Sequence, residues 1–305
     1  MKANLTDAEL VKKLESLNTK RENFSAFIKM LLILLFLNIA VIIFLGFVMP
    51  DFYEPFMISI LVITSLFSIA TLIYPIYGNK MKMLLLNMIE DTLKKNFESI
   101  EYKHDSHISE AMVRKIKFFY FKRIYGSDFV RATYKGVGFE FSDIWLNTKS
   151  KDEANQLDHF KGQWLVISMA KEINPPVTVS GLLGISLSWF KDEQKMVKME
   201  NEAFNKQFTV FTEDPQKAFY VLTPHFMEFI MSLNQLTDIK LHLCFAGFHA
   251  YIIANTGRNS FYPYDKDGYG LNLLRNKMQR EVDFIKRVID GFLQNERLFG
   301  LSRAT

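Results

Sequence analysis

Two apolar runs separated by a short acidic turn constrain this chain more than any other feature. Met30 to Met49 is twenty residues without a charge, interrupted only by the amide of Asn38, and Phe56 to Tyr77 is twenty-two more, again uncharged. About twenty helical residues, each rising about 1.5 Å, span a hydrocarbon layer of roughly 30 Å. Lipid offers the backbone no hydrogen-bond partners, so runs of this kind are expected as helices. The connection Pro50-Asp51-Phe52-Tyr53-Glu54-Pro55 is short enough to force a hairpin. A buried pair of core helices would normally keep one polar face, which neither run has.

Charge sets the expected orientation. Lys12, Lys13, Lys20, Arg21 and Lys29 precede the first run, and Lys80, Lys82, Lys94 and Lys95 follow the second; the turn carries Asp51 and Glu54 and no cation. Basic flanks stay on the cytoplasmic side, which predicts a multi-pass inner-membrane protein with both termini cytoplasmic. The single cysteine, Cys244, suits a reducing compartment. A cleavable leader is a poor reading, because twenty-nine residues precede the first run and no small-x-small site ends it. Residues 6–23 read as a short amphipathic helix with Leu10, Leu14 and Leu17 on one face. Asn38, Thr64, Ser65, Ser68 and Thr71 read as hydrogen-bonding groups between paired helices.

Beyond the membrane the pattern predicts an α+β fold. Residues 1–29 form the N-terminal segment, 30–77 the transmembrane hairpin, 78–125 a juxtamembrane helical neck and 126–305 a cytoplasmic domain. The neck comprises one helix running on to about Phe97 and a second over Ser109 to Tyr125, ended by Gly126. Strand-like runs follow at 128–134, 137–141, 144–147, 164–169, 177–179, 197–199 and 208–211. Their turn-rich spacing favours an antiparallel sheet. A mid-chain helix is expected over Pro224 to Leu236 with Thr223 as its cap, and a long C-terminal helix from Leu271 to about Leu293. Between them, Ile239 to Phe245 and Phe248 to Ala254 read as a hairpin turning at Ala246-Gly247. The apolar stripe of the last helix fits packing on the sheet, with a homo-oligomer seam as the alternative.

The chemistry-bearing residues are sparse. His104 and His107 lack the remaining ligands of a metal site, and Asp265 with Asp267 reads as a turn. Ser180 to Gly184 is not a dinucleotide fingerprint. No cofactor or metal is therefore expected. A turn at Ala246-Gly247 would place Cys244 opposite His249, the one nucleophile–base pair the pattern offers; a lone cysteine in a strand more often packs as a small hydrophobe. No Asp or Glu stands out as sitting in an apolar setting. Arg114, Lys115, Lys117, Lys122 and Arg123 interleave with Phe118 to Phe121. So close to the membrane, such a patch favours anionic lipid or a juxtamembrane partner over nucleic acid.

Several stretches resemble the bacterial membrane proteins grouped as DUF3137. They are residues 125–130 (YGSDFV), 134–144 (YKGVGFEFSDI), 159–165 (HFKGQWL), 202–214 (EAFNKQFTVFTED) and 218–228 (AFYVLTPHFME). The likeness is drawn over nearly the whole chain, most specifically 125–231, with Ala132 where that family tends to carry glycine. It implies two N-terminal spans and a cytoplasmic domain, and it implies no activity. The expectation is a non-enzymatic, membrane-anchored scaffold that binds a membrane or cytoplasmic protein. The alternative is a small-ligand sensor or enzyme with its site between the sheet and the C-terminal helix.

Overall fold

A computed structural model describes residues 7–48, 54–116, 118–119, 121–147, 158–181, 195–237, 240–257, 259–261 and 271–300. The chain divides into two compact units, Met1–Met88 and Ile89–Thr305.

The first unit is a helical hairpin. Helix α1 covers Asp7–Val48, and α2 runs from Glu54 across the unit boundary to Asn96. The amphipathic segment does not form a separate helix: no Pro or Gly interrupts the chain from Asp7 to Leu45, so α1 runs straight through. Its 42 residues amount to about 63 Å, twice the thickness of a hydrocarbon core. The helices are antiparallel, since Phe24 meets Tyr77 at 5.8 Å between ring centroids and Ser59 donates to the Asn38 side chain. Thr64, Ser65, Ser68 and Thr71 instead bond carbonyls of their own helix, and Pro75 is accommodated inside α2. Both helices are long and apolar enough to cross a membrane, and only 6% of each apolar window is covered by the chain, unlike a soluble core helix.

The second unit is built on a seven-stranded sheet: β1 (Glu98–Lys103), β2 (Arg123–Tyr134), β3 (Val137–Asn147), β4 (Asp158–Gly181), β5 (Lys195–Val197), β6 (Phe208–Thr212) and β7 (Lys240–Asn255). Every pairing is antiparallel, in the order β1-β2-β3-β4-β6-β5. β7 lies along the other side of β4, with Gln163 opposite Ala254 at one end and Ser180 opposite His242 at the other. The expected runs at 164–169 and 177–179 are therefore one strand, and so are those at 137–141 and 144–147.

β7 also corrects the hairpin reading. The chain does not reverse at Ala246-Gly247, because β4 is long enough to partner it throughout. The register slips there: Ser168 to Val177 on β4 faces only His249 to Phe245 on β7. Pro175 and Pro176 lack ladder donors, which favours a bulge at this point. Gly247, at φ +58°, takes the left-handed backbone the slip requires.

Each face of the sheet is covered. Helix α3 (Glu110–Lys115), capped by Ser109, lies with Phe118 and Phe121 over Trp164, Cys244, Tyr251 and Ile253. The neck helix expected to reach Tyr125 is thus only six residues long; from Arg123 the chain pairs with β3 instead, and Gly126 lies inside β2. Residues 98–103 of the neck region also join the sheet, as β1. Short helices α4 (Glu202–Asn205) and α5 (Pro215–Val221) flank β6. α6 (Pro224–Thr237), α7 (Leu271–Gln294) and α8 (Glu296–Phe299) cover the opposite face. There Phe245 meets Phe226, Phe292 and Phe299 at centroid distances of 5.9, 6.1 and 5.6 Å. Val282, Ile285, Ile289 and Phe292 of α7 are fully buried, so this part of its apolar stripe packs within the chain.

Candidate functional site

The residues singled out by sequence pattern are dispersed. Cys244 pairs with Thr178 and His249 with Ser168, so the two do not face each other across a ladder. Cys244 is buried under α3. Its sulfur accepts a bond from Thr178 Oγ1 at 3.6 Å, and burial pushes the thiol up to about 12, the reverse of an activated nucleophile. His104 and His107 separate as well: His104 Nδ1 lies 2.8 Å from Asp128, whereas His107 bonds the Ile108 carbonyl. Among the described residues no group of three His, Cys, Asp or Glu could hold a metal ion. Asp265, Asp267 and Lys117 lie outside the described residues.

Of the basic stretch, Arg114 is tied down. It pairs with Glu110 at 2.6 Å and stacks 4.1 Å from the Phe121 ring. Lys115 and Lys122 are exposed and Arg123 is half-buried. Phe118 and Phe121 belong to the core and, apart from the Arg114 stack on Phe121, form no exposed aromatic patch among the cations.

A polar constellation that the sequence pattern did not reveal lies where β2, β3 and β4 meet the start of the C-terminal region. Asp143 on β3 is 2% exposed, and its two carboxyl oxygens accept the Ser260 backbone N–H and hydroxyl, each at 2.6 Å. Gln163, opposite Asp143 on β4, donates to Ser260 Oγ at 2.9 Å and to Glu281 of α7. Asp128, equally buried, sits in a bulge of β2 at φ +59°. It accepts from Tyr102 at 2.7 Å and Ser127 at 2.8 Å, and contacts His104. Such over-determined strain at a bulge is characteristic of positions that matter. The loop carrying His104 and His107 presses on β2 so closely that a Cβ at Gly126 would come within 2.6 Å of His107 Cβ. That contact, not the end of a helix, is why glycine stands there.

Burial, then repulsion from Asp128 and Glu281, holds the Asp143 carboxyl well above the usual carboxylate range despite the two Ser260 donors. One signal for it was legible. Asp143 interrupts Phe139-Glu140-Phe141-Ser142 and Ile144-Trp145-Leu146 in a strand buried along most of its length, which overturns the expectation that no acid has an apolar setting.

A second feature is an open groove of about 650 Å³ along the solvent edge of α7, lined among others by Tyr134, Phe229, Asp283, Lys286, Arg287 and Asp290. Lys286 donates to Asn96 at 2.8 Å and lies over the Phe97 and Tyr134 rings, while Lys135 pairs with Asp290 at 2.7 Å. Val282, Ile285, Ile289 and Phe292 give α7 a buried apolar face toward the sheet, broken where Glu281 meets Gln163, and its outer edge offers both charges beside aromatic rings.

No curated protein and no solved structure matches the chain. Residues 158–293, from β4 to the last turn of α7, match the family model described as a protein of unknown function, DUF3137. The resemblance thus holds for the C-terminal part of the chain, less than half of it, and includes Gln163, Ser260 and Glu281 but neither Asp128 nor Asp143.

Proposed function

We propose that this chain holds an interaction domain at the cytoplasmic face of the bacterial inner membrane, where it binds a protein partner. The observation that carries this reading is the uncovered apolar hairpin. Phe36, Phe47, Leu61 and Leu72 are 71 to 89% exposed, a surface that lipid satisfies and water does not. Lys and Arg on both flanks, and their absence from the turn, favour the cytoplasmic side for the body. The groove beside α7 supplies a contact surface with aromatic anchors and both charges, and Lys115 and Lys122 add exposed cations for anionic lipid headgroups.

A reporter fused after Thr305 should be active in the cytoplasm, and a tag placed in Asp51 to Glu54 should label from outside. A C-terminus accessible to protease in intact spheroplasts overturns the orientation. Capture of the full chain in detergent should retrieve one partner in constant ratio, and Arg287→Glu should abolish its recovery at unchanged expression. The same groove favours a second reading, a small-ligand sensor. That reading gains if a small molecule raises the melting temperature of the wild type and not of the Arg287→Glu protein.

A further inference from the structure

The Asp143 cluster ties three distant parts of the second unit together. Ser260 belongs to the segment between β7 and α7, Gln163 to the centre of the sheet, and Glu281 to α7 itself. The groups around Asp143 are Ser127 opposite it and Asp128 beside that on β2, Gln163 on β4, Ser260, and Glu281 on α7. Tyr102 and His104 contact the Asp128 carboxylate, and Lys277 lies one turn before Glu281 on α7. His107, on the loop before α3, packs at Gly126 beside the Asp143 backbone, and among the described residues Asp128 and Glu281 are two acidic groups that push the Asp143 carboxyl upward. Buried like charges cannot all be ionised cheaply, so such a group gives up charge before it gives up burial.

We propose that this cluster is a proton-gated latch: while Asp143 is neutral, the chain Asp143–Ser260–Gln163–Glu281 fastens α7 to the sheet, and loss of that proton to solvent loosens it. The charge then created on β3 repels Glu281, the member of the chain carried by α7, and the Gln163–Glu281 link is the one that gives way. The sign follows from linkage. A carboxyl raised in the folded state contributes stability that is complete below its unfolded pKa and is lost as pH climbs through the raised native value. Asp283, Lys286, Arg287 and Asp290 of the groove ride on the same helix, so the latch would also set the shape of that groove. The inference does not depend on what the groove binds.

The test uses the full chain in nanodiscs of phosphatidylethanolamine and phosphatidylglycerol. Hydrogen exchange of peptides covering Met278 to Phe292 is followed from weakly acid to weakly alkaline pH and corrected for the intrinsic base-catalysed rate. Wild-type α7 should lose protection as pH rises, while β4 keeps its own. Asp143→Asn, whose amide oxygen accepts the Ser260 N–H and whose NH₂ donates to the Ser260 hydroxyl, should hold α7 protected throughout. A flat wild-type profile, or the same slope in the variant, overturns the latch. Should the variant not fold, infrared spectra of the wild type decide. A protonated-carboxyl band must persist where exposed carboxyls are fully ionised, and must vanish in step with α7 protection; its absence is equally fatal.

Discussion

The hairpin and the α+β body put phenylalanine to opposite uses. Phe36, Phe44 and Phe47 are 71, 65 and 89% exposed, whereas Phe141, Phe226, Phe245 and Phe292 are fully buried. The side chain is the same and its cover differs. In the hairpin the apolar surface is turned outward and only a thin seam, including Leu31 and Ala70, is closed within the chain. In the body the same chemistry condenses on both faces of a sheet. Hydrophobicity therefore says how much surface avoids water, and its arrangement along the chain says whether lipid or protein supplies the shelter.

The largest test of this contrast is Ile285→Asp, which buries an unpaired charge beneath α7 and should cost about 4 kcal/mol or more. All three tryptophans follow residue 89, so their fluorescence reports melting of the body alone. Phe36→Ala should leave that melting within about 0.5 kcal/mol of wild type. If both variants melt like wild type, α7 is not part of the core and the contrast fails.

A smaller effect sharpens the comparison on the hairpin side. Ser59→Ala deletes the donor to Asn38, and polar contacts of this kind between membrane helices are worth about 0.6 kcal/mol, with a ceiling of about 1.7 kcal/mol. Unfolding of a dye-labelled hairpin in mixed micelles should shift by that amount, and the body's tryptophan melting should not move. A shift in both would mean that the two regions are energetically coupled.

The smallest effect concerns His249. Burial, then the charge of Lys115, holds its imidazole below the ordinary histidine value. The stability this adds is complete above the unfolded histidine pKa and is lost as pH falls below it toward the native value. Lys115→Ala should move the His249 titration upward in NMR spectra, with little change in stability at neutral pH. An unmoved titration would show that the lysine does not act on it.

What the sequence made legible follows the range of the forces involved. The hairpin, α6 and α7 could be read because their signals are local: uniform apolarity, a period of 3.6, and Thr223 capping Phe226 N–H at 3.3 Å. The continuous β7 could not, because its continuity is imposed by β4, far away in the chain; alone, Ala246-Gly247 looks like a turn. α3 is short for the same reason, its expected continuation being drawn into pairing with β3. The latch was least legible of all. Asp143 and Ser260 are 117 residues apart, and a carboxyl's setting is decided by what folds over it.

β4 has a consequence for how the chain is made. Synthesis delivers β3 just before β4, so the half of β4 beginning at Asp158 finds a neighbour at once. Its other edge must wait for β7, since Gln163 pairs with Ala254. During that interval the ribosome holds a nascent chain with its hairpin already apolar enough for the membrane and a 24-residue strand open along one side. An open strand edge is a template for any other chain. A chain truncated before Lys240 would therefore keep that edge open and be prone to aggregate, and β7 supplies the partner that closes it.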